Sequence, residues 1–203
     1  MPCAATGARN AGSPSGTRSG DLALAYAAAH PARVAAVGYL SGVGIGDWRR
    51  PYRAARAAAA GLLGPDAAAR RQDLARRPDR TWDEEVAYRT LAWATDYADP
   101  VAGLTRARAM AETDRPIHGA VNEALMAVAD ADKIGWAAAT RCPVFVIHGS
   151  ADVRPAANAL QLAAEIPRPH KRVVQGAGHF PWVERPDEVV DLLAEVVAAG
   201  ARS

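Results

Sequence analysis

Three short runs of apolar and β-branched residues stand out in a chain whose remaining pattern is mostly helical. They lie near residues 34–41, 143–148 and 172–175, and each ends close to a glycine. Continuous apolar runs of this length are typical of strands that a parallel sheet buries on both faces. Because helical patterns separate the runs, the chain predicts an α/β fold with three parallel strands and helices packed around them.

The helical patterns have clear starts and stops. A stretch of strongly helix-forming residues begins at residue 21 and ends at Pro31. Residues 48–138 repeat Ala, Leu and Arg at helical spacing, with breaks at proline and glycine. Two more helices are predicted over 156–165 and 186–200. Residues 1–20, by contrast, carry no periodicity and almost no large apolar side chains, so we expect them to be disordered or spurious.

Composition excludes several classes of function. The formal net charge is +2, and no basic cluster is interleaved with aromatic residues, so we expect no nucleic-acid partner. No apolar run approaches the roughly 20 residues that a membrane helix needs, so we expect no membrane partner. The only cysteines are Cys3 and Cys142. This pair predicts no disulfide framework and fits a reducing cytoplasm, where we expect the protein to be located.

The candidate chemistry lies at the ends of the last two predicted strands. One strand leads into His148-Gly-Ser-Ala-Asp152, and the next leads into Gly176-Ala-Gly-His179-Phe-Pro-Trp182. Parallel strands deliver the residues at their carboxyl ends to the same edge of a sheet. An aspartate at that edge can hold a histidine in the tautomer that takes a proton from a nucleophile. Asp152 and His179 are therefore the candidate catalytic acid and base.

These two motifs resemble the last two strand ends of the α/β-hydrolase superfamily, and they are most similar to those of proline iminopeptidase-like serine hydrolases. The order of aspartate, helix and histidine is the one that follows the serine in that superfamily. The similarity runs from about residue 20 to residue 200. It implies the C-terminal part of an α/β-hydrolase fold, with its last three parallel strands and an inserted helical cap.

The resemblance also implies a division of the chain and a reaction. Residues 21–46 would form the first helix and strand of the core, residues 47–140 the cap, and residues 141–203 the C-terminal core. A small-molecule or peptide substrate would lose an ester or amide bond through an acyl-enzyme, and N-terminal proline is one substrate that the resemblance suggests. No metal ion or organic cofactor is implied.

The expected nucleophile is the point at which the sequence departs from the family. The nucleophile elbow, Gly-x-Ser-x-Gly, matches residues 15–19, where Thr17 replaces the serine and no apolar strand precedes the turn. Either residues 1–20 come from a frame error or a misplaced start, or the protein is genuinely shortened. We expect the chain as written to be nearly inactive, and we expect Ser41, at the end of the first strand, to be structural.

The alternative function is a non-catalytic remnant or an interaction module. A chain that begins at this point would leave the strand at 34–41 with an unpaired edge, and such an edge favours self-association. This alternative needs no nucleophile, and it predicts a binding partner instead of a substrate.

Three residues are candidate substrate contacts. The family's cap acids receive the α-amine of a peptide substrate, which implies such a role for Glu84 beside Trp93; Trp182 follows the candidate base and is the third. The alternative for Glu84 is that Thr81 and Glu84 form a capping box at a helix start. The alternative for Trp93 is a place in the core, which is common for a tryptophan at helical spacing.

Overall fold

One parallel sheet forms the centre of the molecule. The computed structural model describes residues 19–113, 124, 125 and 127–202. The strands β1 (Val37–Leu40), β2 (Val144–Gly149) and β3 (Pro169–Val174) lie side by side in the order β1-β2-β3, all parallel. The predicted α/β class with three parallel strands is confirmed, and the third strand begins earlier than the sequence pattern predicts.

Helices precede, separate and follow the strands. They are α1 (Ser19–Ala29), α2 (Arg49–Gly61), α3 (Pro65–Arg76), α4 (Trp82–Trp93), α5 (Pro100–Thr113), α6 (Asp130–Ala139), α7 (Ala156–Ala163), α8 (Pro181–Glu184) and α9 (Pro186–Ala201). Short 3-10 turns cover Pro31–Arg33 and Ala94–Asp96. Proline stands in the first turn of α3, α8 and α9, where its missing N–H group costs nothing.

The two faces of the sheet carry separate apolar clusters. Val144 and Val146 of β2 point to one face, where they pack with residues of α1, α6 and α7. Phe145 and Ile147 point to the other face and pack with residues of α9. Successive side chains of a strand alternate between faces, so a fully apolar β2 needs cover on both sides. Burying each such side chain contributes roughly 1.5–3 kcal/mol.

A buried polar group joins α1, β1 and α6. The Tyr39 hydroxyl donates to Asp21 Oδ1 at 2.9 Å, and Lys133 Nζ lies 3.4 Å from Asp21 Oδ2. Lys133 also donates to the carbonyl oxygen of Gly44 at 2.9 Å. The ammonium group is thus buried with a charged partner and a hydrogen-bond acceptor, as a buried lysine requires.

The helices of the predicted cap divide between two sets of contacts. A third apolar cluster contains Trp93 and Tyr97 together with Phe180, from the loop that follows β3. Helix α6, at the end of the predicted cap, instead packs against α1 in the cluster on the first face of the sheet. The domain boundaries stay a prediction. Among the helices that the structure describes, none has the length and hydropathy to cross a membrane.

Candidate active site

The carboxyl ends of β2 and β3 bring the candidate acid and base together. Asp152 lies in the turn after β2, and His179 lies in the loop after β3. Nδ1 of His179 lies 2.7 Å from Oδ2 of Asp152, and both side chains are at most 1% exposed. Because an ionised carboxylate only accepts, Nδ1 carries the proton of this hydrogen bond. Nε2 is then the ring atom left to exchange a proton with a reacting group.

Two glycines allow the loops to come this close. A Cβ atom on Gly149 would lie 2.0 Å from the carbonyl oxygen of Gly178. A Cβ atom on Gly178 would lie 2.5 Å from the carbonyl oxygen of Asp96. Neither distance is possible for real atoms, so a side chain at either position would push the two loops apart. The close approach of the two loops therefore explains why each sequence motif has a glycine at this position.

The loop that carries His179 is also tied to the turn after α4. The backbone N–H of His179 donates to the carbonyl oxygen of Asp96 at 2.7 Å. The carboxylate of Glu184, in α8, accepts from the backbone N–H of Gly178 at 2.7 Å and from that of Ala98 at 2.9 Å. These three hydrogen bonds fix the base relative to the helical segment that follows β1.

A buried guanidinium group lies next to the candidate acid. Arg154 Nη1 is 2.9 Å from Asp96 Oδ1 and 3.4 Å from Asp152 Oδ1. Its Cζ atom also lies 5.0 Å from the centre of the Tyr52 ring. Burial lowers the pKa of Arg154, but Asp96, Asp152 and Tyr52 outweigh burial and raise that pKa above its usual value. The guanidinium group therefore stays charged.

The same charges keep Asp152 ionised. Burial raises the pKa of its carboxyl group, but the hydrogen bond from His179 and the charge of Arg154 outweigh burial. The net result is a pKa below the usual value for aspartate. Asp152 is therefore an anion at neutral pH, as an acid that orients an imidazole must be.

A second histidine borders the site. His148 Nδ1 lies 3.1 Å from the carbonyl oxygen of Gly149, and its Nε2 lies 3.6 Å from Asp152 Oδ2. Burial is the largest effect on this side chain, and it lowers the pKa of His148 although Asp152 acts in the opposite direction. His148 is therefore neutral near pH 7, with the proton on the nitrogen that faces the carbonyl oxygen.

An apolar cavity of about 400 Å³ opens beside Asp152. Its walls come from α2, from the segment after the Ala94–Asp96 turn and from the turn after β2. The lining residues are mostly small or aliphatic: Ala55, Ala58, Ala59, Leu62, Tyr97, Ala98, Pro100, Ala151, Asp152 and Val153. A cavity of this volume and lining suits an uncharged group of small-molecule size.

The three predicted substrate contacts lie apart from this cavity. Glu84 and Thr81 form the capping box of α4, and Glu84 Oε1 also pairs with Arg77 at 2.5 Å. The alternative interpretation of Glu84, a helix start, is thus confirmed. Trp93 is buried in the third apolar cluster, as its alternative interpretation expects. Trp182 is 38% exposed and packs edge-on against Phe180. Their roles in substrate binding stay predictions.

No sequence motif predicts the network around Arg154 and Asp96. Arg154 lies two residues after Asp152, a spacing that lets its backbone N–H donate to Asp152 Oδ1 at 2.9 Å. Asp96 belongs to a stretch in which tryptophan and acidic residues mix, but Glu84 is the more obvious acid by motif. Only the fold shows that Asp96, and not Glu84, reaches the strand ends.

Thr17, which stands where the family has its serine, lies outside the described residues. Ser41 lies at the end of β1, is buried, and has a φ angle of +49°, which is unusual for a residue other than glycine. Its backbone N–H donates to the carbonyl oxygen of Ile147 at 2.8 Å, which extends the pairing with β2. Within the part of the chain that the structure describes, no group of three His, Cys, Asp or Glu side chains is arranged to hold a metal ion.

Solved structures share this architecture. Rv0554 from Mycobacterium tuberculosis matches 89% of this chain with 62% of its own, at 17% identity and a TM-score of 0.62. A variant of the meta-cleavage product hydrolase CumD from Pseudomonas fluorescens IP01 matches 88% of this chain with 61% of its own, at 19% identity and a TM-score of 0.53. Est816, described as an N-acyl homoserine lactone degrading enzyme, matches 87% of this chain with 63% of its own, at 24% identity and a TM-score of 0.53.

No family model and no curated protein matches the sequence. The chain spans less than two thirds of the length of each of the three solved structures. Identities of this size show the fold alone. The chain has the C-terminal part of the α/β-hydrolase fold, as the motifs at its last two strand ends predict.

Proposed function

We propose that this chain carries the acid and the base of an α/β-hydrolase that cleaves an ester or amide bond through an acyl-enzyme. The observation that carries the proposal is the buried hydrogen bond of 2.7 Å between His179 Nδ1 and Asp152 Oδ2. With Nδ1 bound to Asp152, Nε2 is the ring atom that would act on a nucleophile. Fold resemblance alone would not specify an activity, so the proposal depends on the site.

The pair would act in two steps. In the first, His179 Nε2 takes the proton of the attacking hydroxyl group and later gives it to the leaving group. In the second, it takes a proton from water as the water oxygen attacks the acyl carbon, and it gives that proton to the oxygen of the nucleophile as the bond between this oxygen and the acyl carbon breaks. Asp152, Asp96 and Arg154 place two carboxylates and one guanidinium group in a buried site. The excess negative charge stabilises the imidazolium ion that forms in each step.

The substrate that the cavity supports best has an apolar, uncharged group near the reacting carbonyl. The cavity beside Asp152 offers mainly methyl and methylene groups to a ligand. Cleavage after N-terminal proline would need an acid that is available to bind an amine. Glu84 is engaged by Arg77 and by the helix start, and Glu85 is engaged by Arg80 at 2.6 Å and Arg89 at 2.7 Å. An apolar ester is therefore the preferred probe, and a proline anilide is the comparison.

The test starts from the position at which the family has its serine. In the chain as written, Thr17 stands there, and we expect little turnover of p-nitrophenyl butyrate. Any hydrolysis that the Thr17→Ser variant gains should be abolished by adding His179→Ala. His30→Ala is the matched control because His30 is exposed and lies at the end of α1. A gain that survives without His179 would contradict the role of the base.

A second candidate function is binding through a sheet edge. Among the described strands, β1 pairs with β2 alone. Val37 and Ser41 donate their backbone N–H groups towards β2, so the N–H groups of Gly38 and Leu40 point to the other edge. A partner strand, including one from a second copy, could pair there. Absence of hydrolysis in every variant would favour this candidate.

The edge interaction has its own test. Light scattering after size-exclusion chromatography should show association that rises with concentration. Gly38→Pro removes one outward N–H group from an edge strand, where proline is tolerated, and should reduce the association. Gly135→Ala in α6 is the control, because nothing lies within 4 Å of that position. A monomer at every concentration would exclude pairing between two copies of this chain.

A further inference from the structure

Arg154 is buried to an unusual degree for an arginine. Its side chain is 1% exposed, and its guanidinium group lies against the Asp96 carboxylate, the Asp152 carboxylate and the face of the Tyr52 ring. Asp96 and Tyr52 come from the helical segment that follows β1, whereas Asp152 follows β2. A cation in such a place is costly to bury unless its partners are held in position.

The two oxygen atoms of Asp152 have separate partners. Oδ1 accepts from the backbone N–H of Arg154 at 2.9 Å and lies 3.4 Å from its Nη1. Oδ2 accepts from His179 at 2.7 Å. The contacts of Arg154 with Oδ1 therefore fix the orientation of the Asp152 carboxylate, and in this orientation Oδ2 faces the His179 imidazole.

We propose that Arg154, anchored by Asp96 and Tyr52, is a positioning residue that orients the Asp152 carboxylate towards His179. Its effect on turnover rests on the proposed function, whereas its effect on the carboxylate does not. Asp96 takes part in this arrangement through both its side chain and its backbone. Its side chain holds Arg154 at 2.9 Å, and its backbone carbonyl holds the backbone of His179 at 2.7 Å. The Ala94–Asp96 turn thereby contacts both Arg154 and the candidate base.

Buried ion pairs are often replaceable by apolar residues without loss of stability, so the test must measure more than stability. Arg154→Met alone leaves two buried carboxylates without their cation and risks misfolding. The double variant Arg154→Met/Asp96→Asn removes one charge of each sign and is the safer probe. Arg154→Lys keeps the charge but loses the planar group that contacts two carboxylates at once.

The direct readout is NMR of the carboxyl carbon of Asp152 and of the Nδ1 proton of His179. Removing a cation that lies within 4 Å should raise the titration midpoint of Asp152 by about one pH unit or more. The other charged or titratable groups that face this carboxylate, His179 and His148, are unchanged in the variant. The Nδ1 proton resonance should move upfield as the hydrogen bond loosens, and Arg154→Lys should restore part of both signals.

The matched control is the second buried pair, Lys133 with Asp21, whose side chains are 4% and 2% exposed. Lys133→Met/Asp21→Asn changes the same charges in the core and should leave both Asp152 signals in place. If the Arg154 double variant gives the same Asp152 midpoint and the same Nδ1 proton as this control, Arg154 is only structural and the inference is overturned.

Enzyme kinetics provide an independent test of the positioning role of Arg154. In the Thr17→Ser background, the Arg154 double variant should lower kcat for p-nitrophenyl butyrate on the order of 10- to 100-fold, with KM changed less than about twofold. Unchanged kcat in an active background would overturn the positioning role. If the background itself shows no hydrolysis but the NMR signals move as expected, the proposed function fails while Arg154 still positions Asp152.

Discussion

The backbone carbonyl oxygen of Asp96 accepts a hydrogen bond of 2.7 Å from the backbone N–H of His179. The two residues are far apart in the chain, and the contact joins the turn after α4 to the loop after β3. Gly178 makes it possible, because its missing side chain lets the two backbones touch. The orientation of the candidate base is therefore determined partly by the helical segment and not by the sheet alone.

Gly178→Ala should separate these two backbones. The new Cβ would lie 2.5 Å from the Asp96 carbonyl oxygen and 2.7 Å from the Ala98 nitrogen, and neither backbone atom can move without shifting a turn. We expect a loss of about 1–3 kcal/mol in the free energy of unfolding, measured by urea denaturation. The Nδ1 proton resonance of His179 should shift as well, because the loop that carries the base moves.

Gly135→Ala is the control for this change. Gly135 lies in the exposed part of α6, and a Cβ there meets nothing within 4 Å. Alanine in a helix interior should stabilise the protein by about 0.5–1 kcal/mol. Equal stability of the wild type and Gly178→Ala would mean that the two loops can accommodate a Cβ atom at position 178, which contradicts the prediction.

His148 should make stability fall in mildly acidic solution. Its pKa is lowered in the folded protein, so the unfolded chain takes up the proton first as the pH falls. The stability that neutral His148 contributes is complete above about pH 6.5 and is lost as the pH falls from there towards the folded pKa. The loss is at most about 1.4 kcal/mol per pH unit for one proton. Urea denaturation at pH 7 and pH 5 measures it.

Replacing His148 with glutamine should remove this part of the pH dependence. The neighbouring groups Asp152, His179 and Arg154 are unchanged in this variant, and the lowered pKa of Asp152 affects stability in a separate window below about pH 4. His30→Gln, at an exposed position, should retain the pH dependence of the wild type. The interpretation is wrong if the stability difference between pH 7 and pH 5 is the same in His148→Gln.

The fold was predictable wherever burial leaves a strong pattern. The strand β2 is buried on both faces, and the pattern predicts it at 143–148 for an observed range of Val144–Gly149. Among the described strands, β3 pairs with β2 alone, and it is partly exposed. Its first residues, Pro169 to Lys171, are polar or helix-breaking and carry no apolar signal. Edge strands tolerate such residues, and their boundaries are therefore hard to predict.

The site was predictable where a motif combines glycine with an ionisable residue. Asp152 and His179 each follow a strand, and parallel strands deliver them to one edge. Asp96 and Arg154 have no such local signal, since their pairing depends on how the helical segment folds back over the sheet. Glu84 has a strong local signal, but that signal belongs to the capping box of α4.

The capping role of Glu84 gives a test of its predicted role with substrate. Thr81→Ala removes the side chain that accepts from the Glu84 backbone N–H and should cost about 1 kcal/mol of stability, whereas Thr81→Ser should cost little. In the Thr17→Ser background, Glu84→Gln should leave KM for a proline anilide and for p-nitrophenyl butyrate within about twofold, because the carboxylate is engaged by Arg77. A large rise in KM for the anilide alone would support binding of an amine by Glu84.

The cavity beside Asp152 predicts how substrate length affects turnover. Ala58 lines this cavity from the exposed side of α2, so a larger residue there fills space without disturbing a core. In the Thr17→Ser background, Ala58→Trp should lower kcat/KM for p-nitrophenyl butyrate more than for p-nitrophenyl acetate. The acetyl group is shorter and needs less of the cavity, and each methylene excluded from an apolar site costs about 0.8 kcal/mol.

Ala57→Trp is the matched control for this effect. Ala57 is the preceding residue of α2, is exposed, and does not line the cavity, so it adds the same side chain to a different face of the helix. Its ratio of kcat/KM for butyrate and acetate should equal that of the parent. Equal ratios in Ala58→Trp and Ala57→Trp would mean that the acyl chain binds elsewhere. A loss of active protein lowers kcat/KM for both esters equally, so the ratio of the two values reports on the acyl chain alone.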